Sequence, residues 1–441
     1  MARQTRREFL QITTAAAAGA TMPLWLPNTR TLADEAKSPN ERLRIGCIGN
    51  GGMGTGDASA IAHYGDILAF CDVDKEHSRR LNEKLREGKA DTYEDYRKLL
   101  DRKDIDAVTI STPDHWHTRI ALAALRAGKD IYCQKPLTLT IAEGKLLRQV
   151  VKETGRVMQV GTQQRSEDGF LTAVALVQQG RIGKVNRITV AIGGAPKGGP
   201  FPKTDPPAEL NWEMWLGQAP LVAYIKQRSH NDFRWWYEYS GGKMTDWGAH
   251  HVDIAQWAIG MEKSGPQTIE VVEAVHPEPL KGGYPTVDDC FNTATAFNVK
   301  ATFANGTEMF IRDDAKDLGF DNGVMFEGEK GRFFVNRGKI TGAPVEDLKQ
   351  NPIPEDVFTA LRKGKKRDSH MGNFIACIKD RGTPISDVDS HHRDLTTCHL
   401  ANIAMRLGRN LKWNPETEQI IGDDEANSWQ QREQRSGYEV V

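Results

Sequence analysis

Residues 44–57, RIGCIGNGGMGTGD, decide the fold of this chain. They begin with a short apolar run, which predicts a strand, continue with a glycine-rich turn and end where a helical pattern begins. Gly49, Gly51 and Gly54 have the spacing G-x-G-x-x-G. The first glycine permits a tight turn, the second lets the backbone approach a pyrophosphate, and the third lets the helix pack closely on the strand. N–H groups at the helix start then face the diphosphate, where the helix dipole favours negative charge. The stretch therefore predicts a dinucleotide-binding turn.

An acidic residue closes the next apolar run, where a ribose is expected to bind. Asp72 follows the glycine motif at roughly the spacing of a ribose-binding acid, which is about 20 residues. Its carboxylate would repel a 2′-phosphate, so we expect NAD rather than NADP, although Arg79 and Arg80 lie close in sequence. Three more residues of the turn are cofactor-binding candidates: Asn50, Gly52 and Met53.

Short apolar runs alternate with helical stretches over residues 43–165. The runs that we interpret as strands are RLRIGCIG, GDILAFCDVD, IDAVTISTP, KDIYCQKP and RVMQVGTQ. Such alternation is typical of a parallel sheet that helices cover on both faces. Residues 43–165 are therefore predicted to form an α/β domain of the Rossmann type.

Residues 166–410 have a different pattern, in which strands follow one another through hairpin turns. The turn signals are Ala304-Asn305-Gly306 and Glu329-Lys330-Gly331, each between two apolar runs. We expect a second α/β domain with a large, mostly antiparallel open sheet and helices on one face. The helix near residues 389–408 is predicted to pack back near the first domain. The polar residues 411–441 are interpreted as an ordered or semi-ordered C-terminal tail.

Composition excludes several classes of function. The chain has 58 Lys and Arg and 59 Asp and Glu, a formal net charge of -1, so no strong field points to nucleic acid or an anionic membrane surface. Cys47, Cys71 and Cys133 lie in apolar runs, where cysteine acts as a small hydrophobe. The six cysteines show no zinc-binding spacing, and no metal is expected.

The N-terminus has the pattern of an export signal. Arg6 and Arg7 precede a mild, alanine-rich apolar stretch that is too short to span a bilayer as a mature helix. A twin arginine before such a stretch is typical of a Tat signal, and the Tat machinery exports proteins that have already folded. Residues 1–40 are therefore treated as signal peptide and linker, and the mature protein is expected in the periplasm or otherwise exported, without a membrane span.

The stretch DIYCQKPLTL, residues 130–139, places a lysine at the end of a predicted strand. Ligands of open parallel sheets bind beyond the carboxyl ends of the strands. Lys135 lies at such an end, and so do Thr112-Pro113 and Gln163. We therefore expect the Lys135 ammonium to point into the crevice that holds the nicotinamide.

A second group of polar residues lies in SGGKMTDWGAHHVDIAQW, residues 240–257. Asp246 and His250 are four residues apart and Asp253 is seven from Asp246, so a helix would place them on one face. His250 is a natural proton acceptor near neutral pH, and a carboxylate beside it would orient the ring. His251 points about 100° away on a helix; we expect it to be structural rather than catalytic, although it is also a candidate for substrate contact.

The motifs GNGGMG, STPDHWH, CQKP and GGKMTDWGAHHVD, in this order, resemble the glucose–fructose oxidoreductase/inositol dehydrogenase (Gfo/Idh/MocA) family, over nearly the whole chain after residue 43. The resemblance implies a Rossmann domain and an α/β substrate domain whose sheet often builds dimers or tetramers. It implies that Lys135 is catalytic, that Asp246 and His250 are an acid/base pair, and that Thr112, Pro113 and His117 line the cofactor. The family usually has Glu-Lys-Pro, whereas Gln134 stands here; its amide could still bond a ribose.

Aromatic and polar residues precede the second motif, in HNDFRWWYEYSGG, residues 230–242. Trp235, Trp236, Tyr237 and Tyr239 could stack on pyranose faces, with part of this set in the core. Arg234 could bond sugar hydroxyls, and Arg165, near the domain junction, is a further candidate for substrate contact.

The function that these features predict is oxidation of a sugar, glycoside or polyol hydroxyl. His250 would take the hydroxyl proton, Lys135 would stabilise the alkoxide, and hydride would pass to NAD. Free NAD is not expected outside the cytoplasm, so the cofactor would be tightly bound and re-oxidised in the same site. One alternative is a redox-neutral NAD-dependent glycosidase, which oxidises, eliminates, adds and reduces. A second is a non-catalytic NAD- or carbohydrate-binding module. A metal site that uses the pair His115 and His117, with His230, His250 and His251 as further candidates, is a weaker interpretation.

Overall fold

Six parallel strands form the first sheet, in a computed structural model that describes residues 42–440. Strands and helices alternate along this part of the chain: β1 Leu43–Ile48, α1 Gly52–Ile61, β2 Gly65–Cys71, α2 Lys75–Arg86, β3 Asp91–Tyr93, α3 Tyr96–Leu100, β4 Ala107–Ile110, α4 Asp114–Arg126, β5 Asp130–Cys133, α5 Ile141–Thr154 and β6 Met158–Val160. The strand order is β3-β2-β1-β4-β5-β6, which reverses direction between β1 and β4. A ligand crevice is expected at that switch point. The predicted Rossmann architecture is confirmed.

A nine-stranded mixed sheet dominates the second part of the described chain. Its strands are β7 Val185–Ala191, β8 Pro266–Val275, β11 Ala296–Phe303, β12 Glu308–Arg312, β13 Gly323–Gly328, β14 Gly331–Asn336, β15 Lys339–Thr341, β16 Leu411–Asn414 and β17 Gln419–Ile420, and β9 Leu280–Lys281 pairs with β10 Tyr284–Pro285. The order is β15-β14-β13-β7-β12-β11-β8-β16-β17. Within this sheet only β7 and β12 pair in parallel, so the predicted, mostly antiparallel sheet is confirmed.

The helices of the second part lie between and after these strands. They are α6 Asp168–Gln178, α7 Trp212–Leu216, α8 Gly242–Asp246, α9 Gly248–Ala258, α10 Ala343–Glu346, α11 Glu355–Leu361, α12 His370–Asp380, α13 Val388–Leu407 and α14 Asp424–Ser428, with short 3-10 turns at Gln163–Ser166, Lys226–Arg228, Asp232–Trp235, Lys316–Leu318 and Asp347–Lys349. Buried and partly exposed residues alternate along β11, so one face of the sheet is packed.

Two helices of the second part pack against the first. α12 joins the apolar cluster under the parallel sheet, where Phe374 and Ile378 accompany Phe70 and Tyr132. α13 contacts both α5 and α9, in agreement with the packing predicted for it. The two sheets are therefore joined by shared apolar packing, which holds the strand ends of one beside the helices of the other.

The polar residues after position 410 are packed rather than loose. β16 pairs with β8, and Arg435 Nε donates to the carbonyl oxygen of Gly217 at 2.7 Å. The six cysteines are free thiols in buried positions. Across residues 42–440, none of the helices combines the length and apolar character needed to cross a membrane. The predicted Tat signal lies in residues 1–40, outside the described residues.

Candidate active site

The glycine turn between β1 and α1 is held where a side chain would not fit. A Cβ on Gly49, whose φ is 81°, would lie 2.6 Å from the nitrogen of Thr112. A Cβ on Gly54 would lie 1.8 Å from the carbonyl oxygen of Gly49, so this glycine lets the helix press against the turn. A Cβ on Gly52, the first residue of α1, would meet open space. The turn therefore presents bare backbone and a helix start to the crevice, as pyrophosphate binding requires.

A cavity of about 290 Å³ lies against this turn, at the carboxyl ends of the parallel strands. It is lined by nine of the predicted cofactor residues: Gly49, Gly51, Gly52, Met53, Asp72, Thr112, Pro113, Gln134 and Lys135. The residues present fit an NAD-type dinucleotide, because glycine backbone, a strand-end acid and apolar walls share one cleft.

Four other predicted cofactor residues support the cavity instead of lining it. Asn50 donates its backbone N–H to Asp72, and Gly54 packs beneath the turn. The ring nitrogens of His117 lie 2.8 Å from the carbonyl oxygen of Thr112 and 2.7 Å from that of Pro136, so His117 holds two strand ends together. Gln163 donates to the Tyr132 hydroxyl at 3.1 Å.

The strand-end acid Asp72 is fixed by backbone donors. Its carboxylate accepts the N–H of Asn50 at 2.7 Å and that of Asp74 at 2.9 Å. His77 Nδ1 lies 3.3 Å away, and this contact raises the pKa of His77 although burial opposes it. Arg79 binds Glu76 at 2.7 Å and Glu83 at 2.6 Å, on the exposed side of α2. That arginine is therefore engaged elsewhere and does not offset the charge of Asp72.

Sequence reasoning missed a small cluster at this end of the cavity. Possible ligand atoms of Asp74, His77 and His230 lie within 4.8 Å of one another and could hold a metal ion. His230 has φ 53°, in the left-handed region, and comes from the second part of the chain. His230 was a candidate metal ligand from the sequence but Asp74 and His77 were not, because His77 and His230 are 153 positions apart and no local pattern joins them. The absence of a metal stays a prediction.

Lys135 and Asp246 form the central pair of the site. The ammonium lies 2.5 Å from Asp246 Oδ1 and 3.1 Å from its carbonyl oxygen, and about a tenth of each side chain is exposed. Arg234 Nε lies 3.5 Å from the same carboxylate oxygen. Burial raises the pKa of Asp246, but Lys135, Arg234 and Lys243 outweigh burial and hold it below its ordinary value. Asp246 is therefore ionised at neutral pH and orients the ammonium.

His250 is buried and neutral at neutral pH. Burial is the main cause of a pKa well below the ordinary value, and the charges of Lys135 and Arg337 lower it further. Its Nδ1 atom has no hydrogen-bond partner among residues 42–440. The predicted orientation of His250 by Asp246 is wrong in this structure. α8 ends at Asp246 and α9 begins at Gly248, so the pair does not continue along one regular helix, and the carboxylate binds Lys135 instead.

Gln134 binds a carboxylate that the sequence did not single out. Its Nε2 lies 3.0 and 2.8 Å from the two carboxylate oxygens of Asp57, and Ser111 Oγ donates to the same group at 2.6 Å. Burial raises the pKa of Asp57 to about 6, although both hydrogen bonds oppose the rise. A glutamate at position 134 would face this carboxylate, so the amide replaces the acid that the family usually carries there.

We expect the Gln134→Glu variant to lose about 1–3 kcal/mol of stability at pH 8, because two buried carboxylates would then share one site. Their pKa values in the folded protein would exceed those in the unfolded chain, so the loss shrinks as pH falls toward 5. Urea denaturation at pH 5 and pH 8 measures this, with the exposed Gln179→Glu as control. An equal loss at both pH values would contradict this explanation of Gln134.

Three predicted substrate residues do not line the cavity beside Lys135. For Arg165 and His251, which have no exposed surface, the prediction is wrong; for Tyr237 it stays a prediction. Arg165 has no exposed surface, and its guanidinium forms ion pairs with Asp253 and Asp394 at 2.8 Å each. His251 is fully buried between Gln164 and Asn322. The Tyr237 hydroxyl lies 3.1 Å from His276 Nε2, and the ring borders a different cavity. A side chain near a predicted domain junction can be buried in the core as readily as it can contact a ligand.

Two predicted substrate residues remain beside the site. Arg234 lines the cavity and contacts Asp246. Trp235 is half-buried, and Lys243 Nζ lies 5.5 Å from its ring centroid. Trp236 and Tyr239 have no exposed surface and belong to the core, as part of this set was expected to.

Comparison with known proteins follows the two parts of the chain. Residues 43–162 match the family model described as "Oxidoreductase family, NAD-binding Rossmann fold", and residues 199–440 match "Oxidoreductase family, C-terminal alpha/beta domain". Myo-inositol 2-dehydrogenase of Thermotoga maritima is 24% identical over 86% of this chain and 100% of its own length. scyllo-Inositol 2-dehydrogenase (NAD(+)) of Bacillus subtilis is 32% identical over 67% of this chain and 75% of its own. The solved aldose-aldose oxidoreductase of Caulobacter crescentus, complexed with glycerol, has a TM-score of 0.58 at 20% identity, covering 84% of this chain and 100% of that one.

Proposed function

Because the chain belongs to the Gfo/Idh/MocA oxidoreductase family, we propose that it oxidises a hydroxyl of a sugar, glycoside or polyol with a bound nicotinamide cofactor. The observation that carries this proposal is the Lys135 ammonium, which lines the glycine-walled cavity and is held 2.5 Å from Asp246. An oriented cation at the edge of a dinucleotide cleft suits stabilisation of an alkoxide. The curated relatives named as inositol dehydrogenases support a polyol-like substrate.

In this proposal each polar group of the site has one task. A bound nicotinamide ring would supply the hydride acceptor. His250, neutral at neutral pH, accepts the hydroxyl proton. Lys135 donates a hydrogen bond to the oxygen as its negative charge grows, and Asp246 keeps that ammonium in place. Arg234 Nε lies 3.5 Å from the same oxygen of Asp246 and helps to hold the carboxylate.

Two measurements on the purified protein test the proposed function. Mass spectrometry of the non-denatured protein should show a dinucleotide bound to the chain, and a panel of sugars and polyols should then reduce it. Reduced cofactor that appears without an added acceptor supports the oxidoreductase. Sugar that binds with neither reduction nor cleavage would overturn it in favour of a binding module.

We propose NAD rather than NADP as that cofactor. Three carboxylates, of Asp72, Asp74 and Glu94, line one end of the cavity. They would repel a 2′-phosphate, and Arg79 is occupied by Glu76 and Glu83. Titration of cofactor-free protein should give a dissociation constant at least about tenfold lower for NAD. Equal affinities would contradict this assignment.

We propose that the protein is exported and that it keeps its cofactor tightly bound, because free NAD is not expected outside the cytoplasm. The support is the Arg6-Arg7 pattern, which lies outside the described residues. Residues 1–40 fused to a folded reporter should direct it out of the cytoplasm, and the fusion with Arg6→Lys and Arg7→Lys should stay inside. Export of both fusions would contradict a twin-arginine route.

One further group favours the redox-neutral glycosidase as a second candidate. Such chemistry needs an acid or base in addition to His250, and Asp114 is buried at the cavity wall, 2.5 Å from Ser240 Oγ. Burial raises the pKa of Asp114 to about 7, although Arg234, Ser240 and Lys135 oppose the rise. A carboxyl group that titrates near neutral pH can both give and take a proton. Release of a monosaccharide without net reduced cofactor would favour this candidate.

A further inference from the structure

Three side chains that can bind a metal meet at the end of the cavity where Asp72 closes β2. Asp74 is the residue before α2, His77 lies in the first turn of that helix, and His230 comes from the second part of the described chain. One ligand atom of each of the three lies within 4.8 Å of the other two. All three residues line the cavity, and His230 is exposed, so an ion can reach them from solvent.

The separations of these atoms suit a shared metal ion better than hydrogen bonds. Asp74 Oδ2 lies 3.8 Å from His77 Nε2 and 3.4 Å from His230 Nε2. Hydrogen bonds from nitrogen to oxygen span about 2.7–3.2 Å, so both contacts are too long for one. Ligand atoms that surround a tetrahedral zinc ion at about 2.0–2.1 Å stand about 3.3 Å from one another. The three atoms are therefore close to the spacing that one zinc ion would require.

A second carboxylate orients one of the two histidines. Asp72 Oδ2 lies 3.3 Å from His77 Nδ1, the ring nitrogen that is left when Nε2 faces Asp74. Histidines that bind a metal almost always direct their second nitrogen to a carboxylate, a carbonyl or water, which fixes the tautomer. Asp74 is fixed as well, because its Oδ1 accepts the N–H of Glu76 at 3.0 Å and leaves Oδ2 to the histidines. The site thus has both its ligand atoms and the outer contacts that hold them.

His230 begins a segment that forms one wall of the cavity. Most of residues 230–234 line it, and Arg234 at the far end of the segment contacts Asp246. The backbone of His230 has φ 53°, a conformation that costs a residue with a side chain about 1–2 kcal/mol. An ion bound to His230 would tie this wall to the start of α2, on the opposite side of the cofactor cleft.

The charges and the donor set both favour a cation of the zinc class. Lys75 and Arg80, two basic residues of α2, pair with Glu94 and Glu76 at 3.2 Å each, so both already have a partner. Two imidazoles and one carboxylate are ligands that zinc and similar transition metals take, whereas Mg²⁺ and Ca²⁺ prefer oxygen alone. Three protein ligands leave a fourth tetrahedral position for water.

We propose that Asp74, His77 and His230 bind one divalent cation of the zinc class, which fastens residues 230–234 over the bound cofactor. The ion is a clasp between the two parts of the chain and takes no part in the proposed oxidation. This inference replaces the expectation of no metal, which rested on spacing within the sequence. The metal site itself needs neither cofactor nor turnover; its effect on cofactor retention rests on the proposed function.

Zinc titration of the untagged, metal-free and cofactor-free full chain tests the site alone. Competition with a chromophoric chelator should show one tight zinc site per chain, and Mg²⁺ should not displace the zinc. His77→Ala and His230→Asn should each weaken binding more than about 100-fold, since a change in the outer contacts alone costs about 10–100-fold. Asparagine suits the left-handed backbone at position 230. Asp74→Asn, which can still cap α2, should weaken zinc binding without loss of the helix. The exposed His63→Ala is the matched control and should bind zinc like the wild type.

Release of NAD from the loaded chain tests the clasp. Removal of zinc by a chelator should speed NAD release at least about tenfold in the wild type and leave the rate unchanged in His230→Asn. Equal zinc binding by all variants, or none by the wild type, would overturn the metal site. Zinc and NAD that exclude each other would overturn the clasp. NAD release that follows pH and ignores zinc would instead indicate a direct histidine–carboxylate contact. Zinc binding by a chain that takes up no dinucleotide would contradict the proposed function and leave the metal site in place.

Discussion

Replacing Lys135 by methionine is expected to lower kcat by about two to three orders of magnitude, because the variant keeps most of the apolar side chain and loses the charged amine. The ammonium lines the cofactor cavity and is the donor held closest to Asp246, so it is placed to meet the developing alkoxide. The dissociation constant for NAD should change less than about threefold, since the glycine turn and Asp72 are untouched. Single-turnover reduction of bound cofactor measures the first quantity and calorimetry the second.

The fold should survive this change, because Arg234 remains 3.5 Å from Asp246 and keeps its buried charge partly paired. Lys135→Arg should recover part of the rate, and the exposed Lys152→Met should leave it unaltered. Near-wild-type turnover in Lys135→Met would remove the lysine from the mechanism. Loss of NAD binding in that variant would make it a cofactor-holding residue instead.

Most of the fold can be predicted from local patterns in the sequence. The G-x-G-x-x-G turn is visible in the sequence from its spacing; the clash at Gly54 is with Gly49 inside the motif, whereas the clash at Gly49 is with Thr112 at another strand end. Alternation of apolar runs and helices predicts the parallel sheet, and hairpin signals at Asn305-Gly306 and Lys330-Gly331 predict two pairs of the mixed sheet. The parallel pairing of β7 with β12 joins strands far apart in sequence and has no such local signal.

The site is predicted less well, because its contacts join residues that lie far apart in the chain. Lys135 and Asp246 are 111 positions apart, and spacing alone suggested Asp246 as the partner of His250. Gln134 and Asp57 are 77 positions apart, so the reason for the amide became visible only in the fold. Arg165 shows the limit most clearly. The sequence around a single arginine near a predicted junction does not distinguish a ligand-binding arginine from one in a buried ion pair.

Replacing Arg165 by methionine is expected to cost about 3–5 kcal/mol of stability, because it would leave two buried carboxylates without their cation. Arg165 binds both oxygens of Asp253 and one of Asp394, and the three side chains have at most 1% exposure. Arg165→Lys keeps the charge and loses the fork, so its loss should be smaller. Urea denaturation measures all three proteins. The exposed Arg332→Met, whose partner Glu327 lies 4.0 Å away, should cost less than about 1 kcal/mol.

The pH dependence of that loss tests its cause. In the wild type, burial raises the pKa of Asp253, but Arg165 and His391 outweigh burial and hold it below the ordinary value, whereas burial and Asp253 hold the pKa of Asp394 well above it. Without the guanidinium both carboxyl groups would have raised pKa values in the folded protein. Such groups contribute stability below the unfolded pKa of about 4 and lose it as pH rises through the folded value. The deficit of Arg165→Met should therefore be smaller at pH 5 than at pH 8. A deficit that does not change with pH would mean that lost packing against Trp257, 4.7 Å from the guanidinium, outweighs the unpaired charges.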